Sequence, residues 1–524
     1  MLNQEQGQKN IFCRSWFWLV IGLYLAFHLY KLTKLPVFAD EAIYIRWAQL
    51  IIDDPQQYLF FPLNDGKTPL FIWFLVPFQF IFSDQLFAGR FLSVLVGLVQ
   101  LVVIQKIIKK VGGSQLAQLA GLILTLILPF WFFHHRMALM DSLLSLFLSI
   151  SWLFALDEQR HGSRRWLSYQ HLKSFLFSGL FFGLALLTKI PALLFVPSLV
   201  ITVFIQTKKP QSQPIHRLAD ACLTIGVGLL VFASLKLHPA FAQLFSRGSD
   251  FLFTPEEIIT QQEWRTVLTQ LPKHLLAISK YLTWPILVLS LVPLARDKQR
   301  LAAVSHLSWL FFAAPIFLLG KVVYPRYLLP VSIMLTVLSA IGIEILREEI
   351  TQLAKKSFNR ILLTSTLIGL VFAACLNSSR FITAQYFNPG ETPFVQIDQT
   401  QYLQEWSAGY GVKPTQELIS TLAKDKKVLV ITEGYFGTLP DGLLLYFHRR
   451  NVEGIYITGM GQPIGSFSQK LRDLSQKYDQ VLLVANSHRI NTDLGQSQLL
   501  LEKCRPGQAP CHQVWDITSL LKQT

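Results

Sequence analysis

"TPLFIWFLVPFQFIF", residues 68–82, decides how this chain meets a membrane. The run is apolar throughout. It is also shorter than the roughly 18–20 residues a crossing needs, and Pro77 interrupts it. The basic residues around it choose between the two readings. If 68–82 stays on one face, the Lys/Arg-rich stretches "QKIIKKVGGS" (105–114), "DEQRHGSRRW" (157–166), "TKKPQSQPIHR" (207–217), "ARDKQR" (295–300) and "REEITQLAKKSFNR" (347–360) share the side of the N-terminus. Short loops rich in Lys and Arg are cytoplasmic. A crossing at 68–82 would put the basic loops after it outside. The run therefore reads as a helix lying on the outer surface. Spans then fall at roughly 12–31, 84–106, 114–133, 137–156, 172–188, 191–206, 218–236, 276–295, 301–320, 327–346 and 360–377. That makes about eleven, with the N-terminus cytoplasmic and the C-terminus outside.

Composition agrees. Of 524 residues, 52% are hydrophobic and only 15% charged, where a soluble domain carries about a quarter. The chain reads as a polytopic α-helical membrane protein, expected in the plasma (inner) membrane. Arg14 interrupts the start of the first apolar run and no small-residue cleavage site follows, so this run is not a cleaved signal peptide. The net charge of +15 resides mostly in short loops between spans, a pattern of orientation that gives no nucleic acid a binding face. Cys13, Cys222 and Cys375 lie in apolar runs as small hydrophobes. Cys504 and Cys511 lie close together in a polar tail, where an extracytoplasmic setting allows a disulfide.

Two outer loops are long, 32–83 and about 237–274. After about Arg380 the composition changes. "KVLVIT" (427–432), "GIYIT" (454–458) and "QVLLVA" (480–485) have strand length, and helical stretches separate them. That alternation predicts a small α/β domain on the outer face, residues 381–524, following a transmembrane domain of residues 1–380.

Acidic residues gather in the first outer loop. In "PVFADEAIYIRWAQLIIDD" (36–54), Asp40 and Glu41 head a segment in which Ile43, Trp47, Leu50 and Ile51 recur at helical spacing. This predicts an amphipathic helix in the outer interface. Read locally, Asp40 is its N-cap and Glu41 complements its dipole. In "NDGKTPLF" (64–71), Asp65-Gly66 makes a turn and Lys67 precedes the surface helix. A cation there is unfavourable for the dipole unless it meets an anion such as phosphate. Without one it is a snorkelling interfacial lysine.

The remaining candidates stand at outer membrane edges. "HHRMALMDSLL" (134–144) places Arg136 and Asp141 near the start of a span, as an ion pair or as functional groups. His134 and His135 are adjacent and point apart on a helix, which speaks against a shared metal. "LALLTKIPALL" (184–194) carries Lys189 in a short turn, and "GKVVYPRYLLP" (320–330) carries Lys321, Tyr324, Arg326 and Tyr327. Lys67, Arg136, Lys189, Lys321 and Arg326 together suit a membrane-embedded anion facing outward. In the C-terminal part, Glu433 and Asp441 follow a strand end, where α/β domains bind ligands; as turn residues they need none.

The ordered set "ADEAIY", "DGKTPL", "RMALMDSLL", "LLTKIPALL" and "YPRYLLP" resembles the GT-C glycosyltransferases that use polyprenyl-phosphate sugars. It is most similar to the family-39-like group of protein O-mannosyltransferases and aminoarabinose lipid A transferases. The resemblance spans about residues 10–380. "YLQEWSAGYGV" (402–412) and "EGYFGTLPDGL" (433–443) look like the outer domain of some bacterial members.

The resemblance implies an inverting transfer of a sugar from a polyprenyl phosphate in the outer leaflet. Asp40 would be the general base. Lys67, with Arg136, Lys189 or Arg326, would hold the donor phosphate, supported by Asp65, Asp141, Lys321 and Tyr324. Glu41 would orient the acceptor or a divalent metal, which some members carry and others do not need. The acceptor would be a protein, lipid or glycan. The chain departs from the aminoarabinose transferases in having Gly66 where they carry a Glu before the lysine, and Ile190 in "TKIP" where glycine is commoner. A transporter or flippase for lipid-linked sugars would share the anion site without the base, and usually shows inverted repeats, which this sequence lacks. An O-antigen ligase or polymerase would centre on a later outer loop. A non-catalytic assembly protein would use the α/β domain to bind a partner.

Overall fold

The computed structural model describes residues 2–156, 169–205, 214–261, 263–296, 298–353, 357–448 and 454–522. The basic stretch 157–166 and most of 207–217 lie outside the described residues. The chain divides into two compact units. The first comprises Met1–Tyr30, Phe60–Phe71 and Ser93–Thr383; the second comprises Lys31–Leu59, Ile72–Leu92 and Ala384–Thr524.

The first unit is helical. Gln85–Lys110, Leu218–Leu237, Gln299–Leu319 and Phe358–Phe387 are each long and apolar enough to cross a membrane. Shorter apolar helices include Gln115–Ile127, Met140–Ala155 and Leu172–Thr188. Proline breaks several of the expected spans. Gln115–Ile127 stops before Pro129 and resumes as Pro129–His134, because a residue preceding proline is driven out of the helical region. The span expected at 276–295 is instead two helices, Trp264–Tyr281 and Trp284–Ala295, bent by 91°. Thr283 turns there with φ +62° just before Trp284-Pro285. The decisive run at 68–82 forms Leu70–Leu75 and Phe78–Ile81, split at Pro77. Residues 70–81 extend about 18 Å at 1.5 Å per residue, short of the roughly 30 Å hydrocarbon core.

The second unit carries a five-stranded sheet of β1 (Val428–Thr432), β2 (Ile455–Gly459), β3 (Gln480–Asn486), β4 (Gln498–Lys503) and β5 (His512–Asp516), in the order β2-β1-β3-β5-β4. β1 pairs in parallel with both β2 and β3, and β5 pairs antiparallel with β3 and β4. β1 and β3 are buried at every residue, as central parallel strands covered on both faces must be. Cys504 and Cys511 are joined by a disulfide between β4 and β5. The backbone of Cys511 pairs with Ser487, directly after β3.

The helix Ala39–Asp53 belongs to this second unit. Its burial corrects the expected interfacial amphipathic helix. Glu41 and Gln49, which lie off the stripe of Ile43, Trp47, Leu50 and Ile51, are fully buried, as are Ala42, Ile45 and Ala48. The partners come from the far end of the chain. Gln49 Nε2 donates to the Leu445 carbonyl at 3.0 Å, Phe38 bridges to Ala408, and His448 Nε2 lies 2.9 Å from Asp53. Local periodicity carries no sign of partners almost 400 positions away.

Candidate active site

Glu41 is buried completely and clamped by Arg90, itself only 1% exposed. Arg90 donates from Nε to Oε1 at 2.9 Å and from its second terminal nitrogen to Oε2 at 2.7 Å. Oε2 also accepts the Phe38 backbone N–H at 3.0 Å. Glu41 therefore reaches back to cap the helix start, and the N-cap residue is Phe38, not Asp40. The remaining Arg90 hydrogens go to the carbonyls of Leu32, Leu35 and Pro36 at 2.9–3.1 Å. One guanidinium thus fixes both the approach chain and the first helical turn. Asp40, half-buried, is held at that turn. Arg90 escaped the sequence reading because it lies at the head of an apolar run, 49 residues from its partner.

In the first unit, Asp65 gathers two cations. Lys67 Nζ lies 2.7 Å from its Oδ2 and Arg247 2.5 Å from its Oδ1. Arg247 also bonds Asp250 at 3.1 Å. Gly66 adopts φ +69°, and a Cβ there would meet the Leu244 carbonyl at 3.4 Å and the Arg247 side chain at 3.6 Å. A glutamate at this position would be strained, which accounts for the departure at Gly66. Arg247 lies within the long segment 237–274, and its distant partner Asp65 singles it out. Lys67 and Arg247 are part-exposed, at 24% and 39%.

A second cluster in that unit joins Asp141, Lys189, Tyr327, Arg326 and Tyr324. Lys189 Nζ lies 2.7 Å from Asp141 Oδ1 and 4.4 Å from the centre of the Tyr327 ring. Arg326, buried, stacks over Tyr324 at 4.7 Å and Tyr327 at 5.7 Å. Cations over tyrosine faces are attracted by the ring quadrupole. Lys321 pairs with Glu257 at 2.7 Å. Arg136 donates to the carbonyls of Phe27, His28 and Tyr30 at 2.6–3.0 Å. These are the contacts of a helix C-terminal cap, closing Leu2–Leu29.

A divalent metal at Glu41 or Asp65 does not fit these contacts. Both Glu41 oxygens are taken by Arg90 and the Phe38 N–H, and both Asp65 oxygens face cations. Among the described residues, the one group of His, Cys, Asp or Glu with metal-ligand spacing is Glu502 with Cys504 and Cys511. Its two sulfurs are already bonded to each other.

Asp441, flagged from sequence, opens the helix Asp441–Phe447 and accepts the Gly437 N–H at 2.7 Å. Burial pushes its carboxyl from 3.8 up to about 6, against the Gly437 N–H and the Arg46 charge, which pull it down. Between about pH 4 and pH 6 the folded state therefore holds a proton that the unfolded chain has lost. This carboxyl's contribution is fully present below about pH 4 and declines as pH rises to 6. The expected result is that Asp441→Asn, which needs no proton, raises the thermal midpoint at pH 7 and leaves it unchanged near pH 4. The gain is on the order of 3 kcal/mol. Midpoints measured across that pH range check it.

The fold is shared with solved structures of low sequence identity. Residues 66–235 match the family model described as dolichyl-phosphate-mannose-protein mannosyltransferase. The chain is similar in structure to ArnT from Cupriavidus metallidurans bound to undecaprenyl phosphate, with TM-score 0.59 at 14% identity, covering 97% of this chain and 99% of that one. The same protein in its apo state gives 0.58 at 15% identity, covering 98% and 99%. The oligosaccharyltransferase AglB from Archaeoglobus fulgidus, in complex with an inhibitory peptide and a dolichol-phosphate, gives 0.52 at 10% identity, covering 85% of this chain and 64% of that one. No curated protein matches in sequence.

Proposed function

We propose that this protein is an integral membrane glycosyltransferase that moves a sugar from a polyprenyl-phosphate donor to an acceptor hydroxyl on the extracytoplasmic side. The observation that carries the reading is the Glu41–Arg90 clamp. A wholly buried ion pair costs more desolvation than it returns unless its geometry is good. Here it also ties three carbonyls and a helix start, and what it holds at that start is Asp40. Asp40 is assigned as general base and Glu41 as the residue that positions it. The acceptor oxygen bonds to the anomeric carbon from the face opposite the phosphate, and its proton passes to the Asp40 carboxylate. The bond from the anomeric carbon to the phosphate oxygen breaks with inversion, and polyprenyl phosphate leaves.

The leaving phosphate gains charge as that bond breaks, so cations fixed in advance stabilise the transition state more than the ground state. Lys67 and Arg247 on their shared Asp65 are assigned to it, with Lys189 and Arg326 on the tyrosine faces. Arg136 holds a helix end. Glu41 and Asp65 are engaged by internal cations, so the divalent metal that the resemblance allows is assigned to neither. In this reading the protein sits in the plasma membrane with the α/β domain outside. The expected result for Arg247→Ala is that undecaprenyl phosphate binds about tenfold more weakly. Lys67→Ala has a similar effect, and the double variant loses less than the product because both act on one carboxylate. Binding to protein in nanodiscs at two salt concentrations measures this. Unchanged affinity in both variants would remove the pair from the donor site.

A further inference from the structure

The parallel part of the sheet has a topological switch point. From β1 the chain passes to β2 on one side, and from β2 it returns to β3 on the other. Loops leaving the ends of β1 and β3 therefore diverge, and the crevice between them is where open α/β sheets bind ligands. Glu433 follows β1 and Asn486 ends β3; both are buried, at 2% and 1%. Glu433 Oε2 accepts the Asn486 backbone N–H at 2.7 Å, and Oε1 accepts the Asn486 side-chain amide and Arg489 at 2.9 Å. Asn486 Oδ1 has no hydrogen-bond partner among the described residues.

Aromatic faces adjoin this polar cluster. Arg489 lies over the Trp406 ring at 5.2 Å, and Trp406 packs on Gly437, where a Cβ would come within 2.9 Å of the indole. Gly434 and Gly437, both at positive φ, hold the tip between them. On that tip Tyr435 is 70% exposed. The two segments that resembled bacterial outer domains, 402–412 and 433–443, thus meet at one place. The Arg489 guanidinium is paired with Glu433 at 2.9 Å. A guanidinium already paired with a carboxylate has less pull on an anion. The cluster's fixed acceptors and donors beside flat apolar rings match a pyranose, which offers hydroxyls at its rim and a C–H face to stack.

We infer that Trp406, Glu433, Tyr435, Asn486 and Arg489 form a binding site for a neutral saccharide at the switch point of the α/β domain. Its role as the acceptor subsite rests on the transferase reading; binding itself does not. The disulfide-closed turn pins Ser487 through Cys511 and so fixes the rim next to Asn486.

The test is saturation-transfer NMR on the full chain in lipid nanodiscs, since glycoside detergents would compete. The probes are methyl α-mannoside, maltose, lactose and diacetylchitobiose, each to about 20 mM, a range that reaches millimolar affinities. At least one is expected to bind, at least about tenfold more weakly in Tyr435→Ala and in Arg489→Ala, while Tyr435→Phe binds as wild type. Undecaprenyl phosphate binding is expected to stay unchanged in all three. No transfer to any probe, equal binding in the variants, or displacement of the saccharide by inorganic phosphate in an Arg489-dependent way would overturn the site. Saccharide binding that persists in a protein that transfers nothing would instead sink the transferase reading and leave the site standing.

Discussion

Replacing Asp40 by Asn is expected to lower sugar transfer by about 10²- to 10⁴-fold, the usual contribution of a positioned general base. Asn keeps the shape and one acceptor oxygen but takes no proton, so the loss falls on turnover. Binding of the donor, assigned to Lys67 and Arg247, stays at the wild-type level. The neighbouring helix start does not depend on Asp40, because Glu41 and Phe38 cap it. Folding of the variant is therefore expected to be unaffected, and amide protection across Ala39–Asp53 serves as the control. Turnover in Asp40→Asn within a few-fold of wild type would remove this residue from the base role.

Arg90→Ala has the other large expected effect, on stability. It leaves the Glu41 carboxylate buried without its counter-charge and strips partners from the carbonyls of Leu32, Leu35 and Pro36. Breaking a buried pair in this way costs about 3–5 kcal/mol. A domain has only about 5–15 kcal/mol in hand. The expected result is loss of amide protection from residue 31 through residue 59, with transfer falling in parallel. The double variant Arg90→Met with Glu41→Leu separates charge from packing. Removing both charges is expected to recover part of the protection, because no uncompensated carboxylate remains. It recovers no turnover, because the carbonyls that hold the approach to Asp40 stay unpaired. Full protection in Arg90→Ala would show that the clamp is not what fixes this turn.

These two residues also show how far the sequence could be read. Asp40 was visible because a carboxylate pair beside an apolar run is unusual in itself. Arg90 was not, since its meaning lies in four partners between positions 32 and 41. The same division runs through the fold. Apolar helices are legible because hydrophobic length is a local property. The sharp bend at Thr283 was signalled only by Pro285 two residues on, within a run otherwise apolar enough for one span. β1, β2 and β3 could be read as short apolar runs. β4 and β5 could not, being half polar, with "QLLLEK" and "HQVWD" set by pairing with each other and with β3. Arg247 belongs with Arg90: its partner Asp65 is 182 residues away. The cysteine pair was legible from spacing in a polar tail, and the two residues are bonded.

The most direct measurement is donor turnover by the wild-type protein in nanodiscs. A panel of undecaprenyl-phosphate hexoses, pentoses and amino sugars is supplied with a hydroxyl acceptor mixture, and free undecaprenyl phosphate is quantified with the anomeric configuration of the product. The expected result is release from at least one donor, with inversion, at a rate that collapses in Asp40→Asn. Donors that bind yet remain intact across the whole panel would contradict the transferase account and favour a carrier or assembly role for the same anion site.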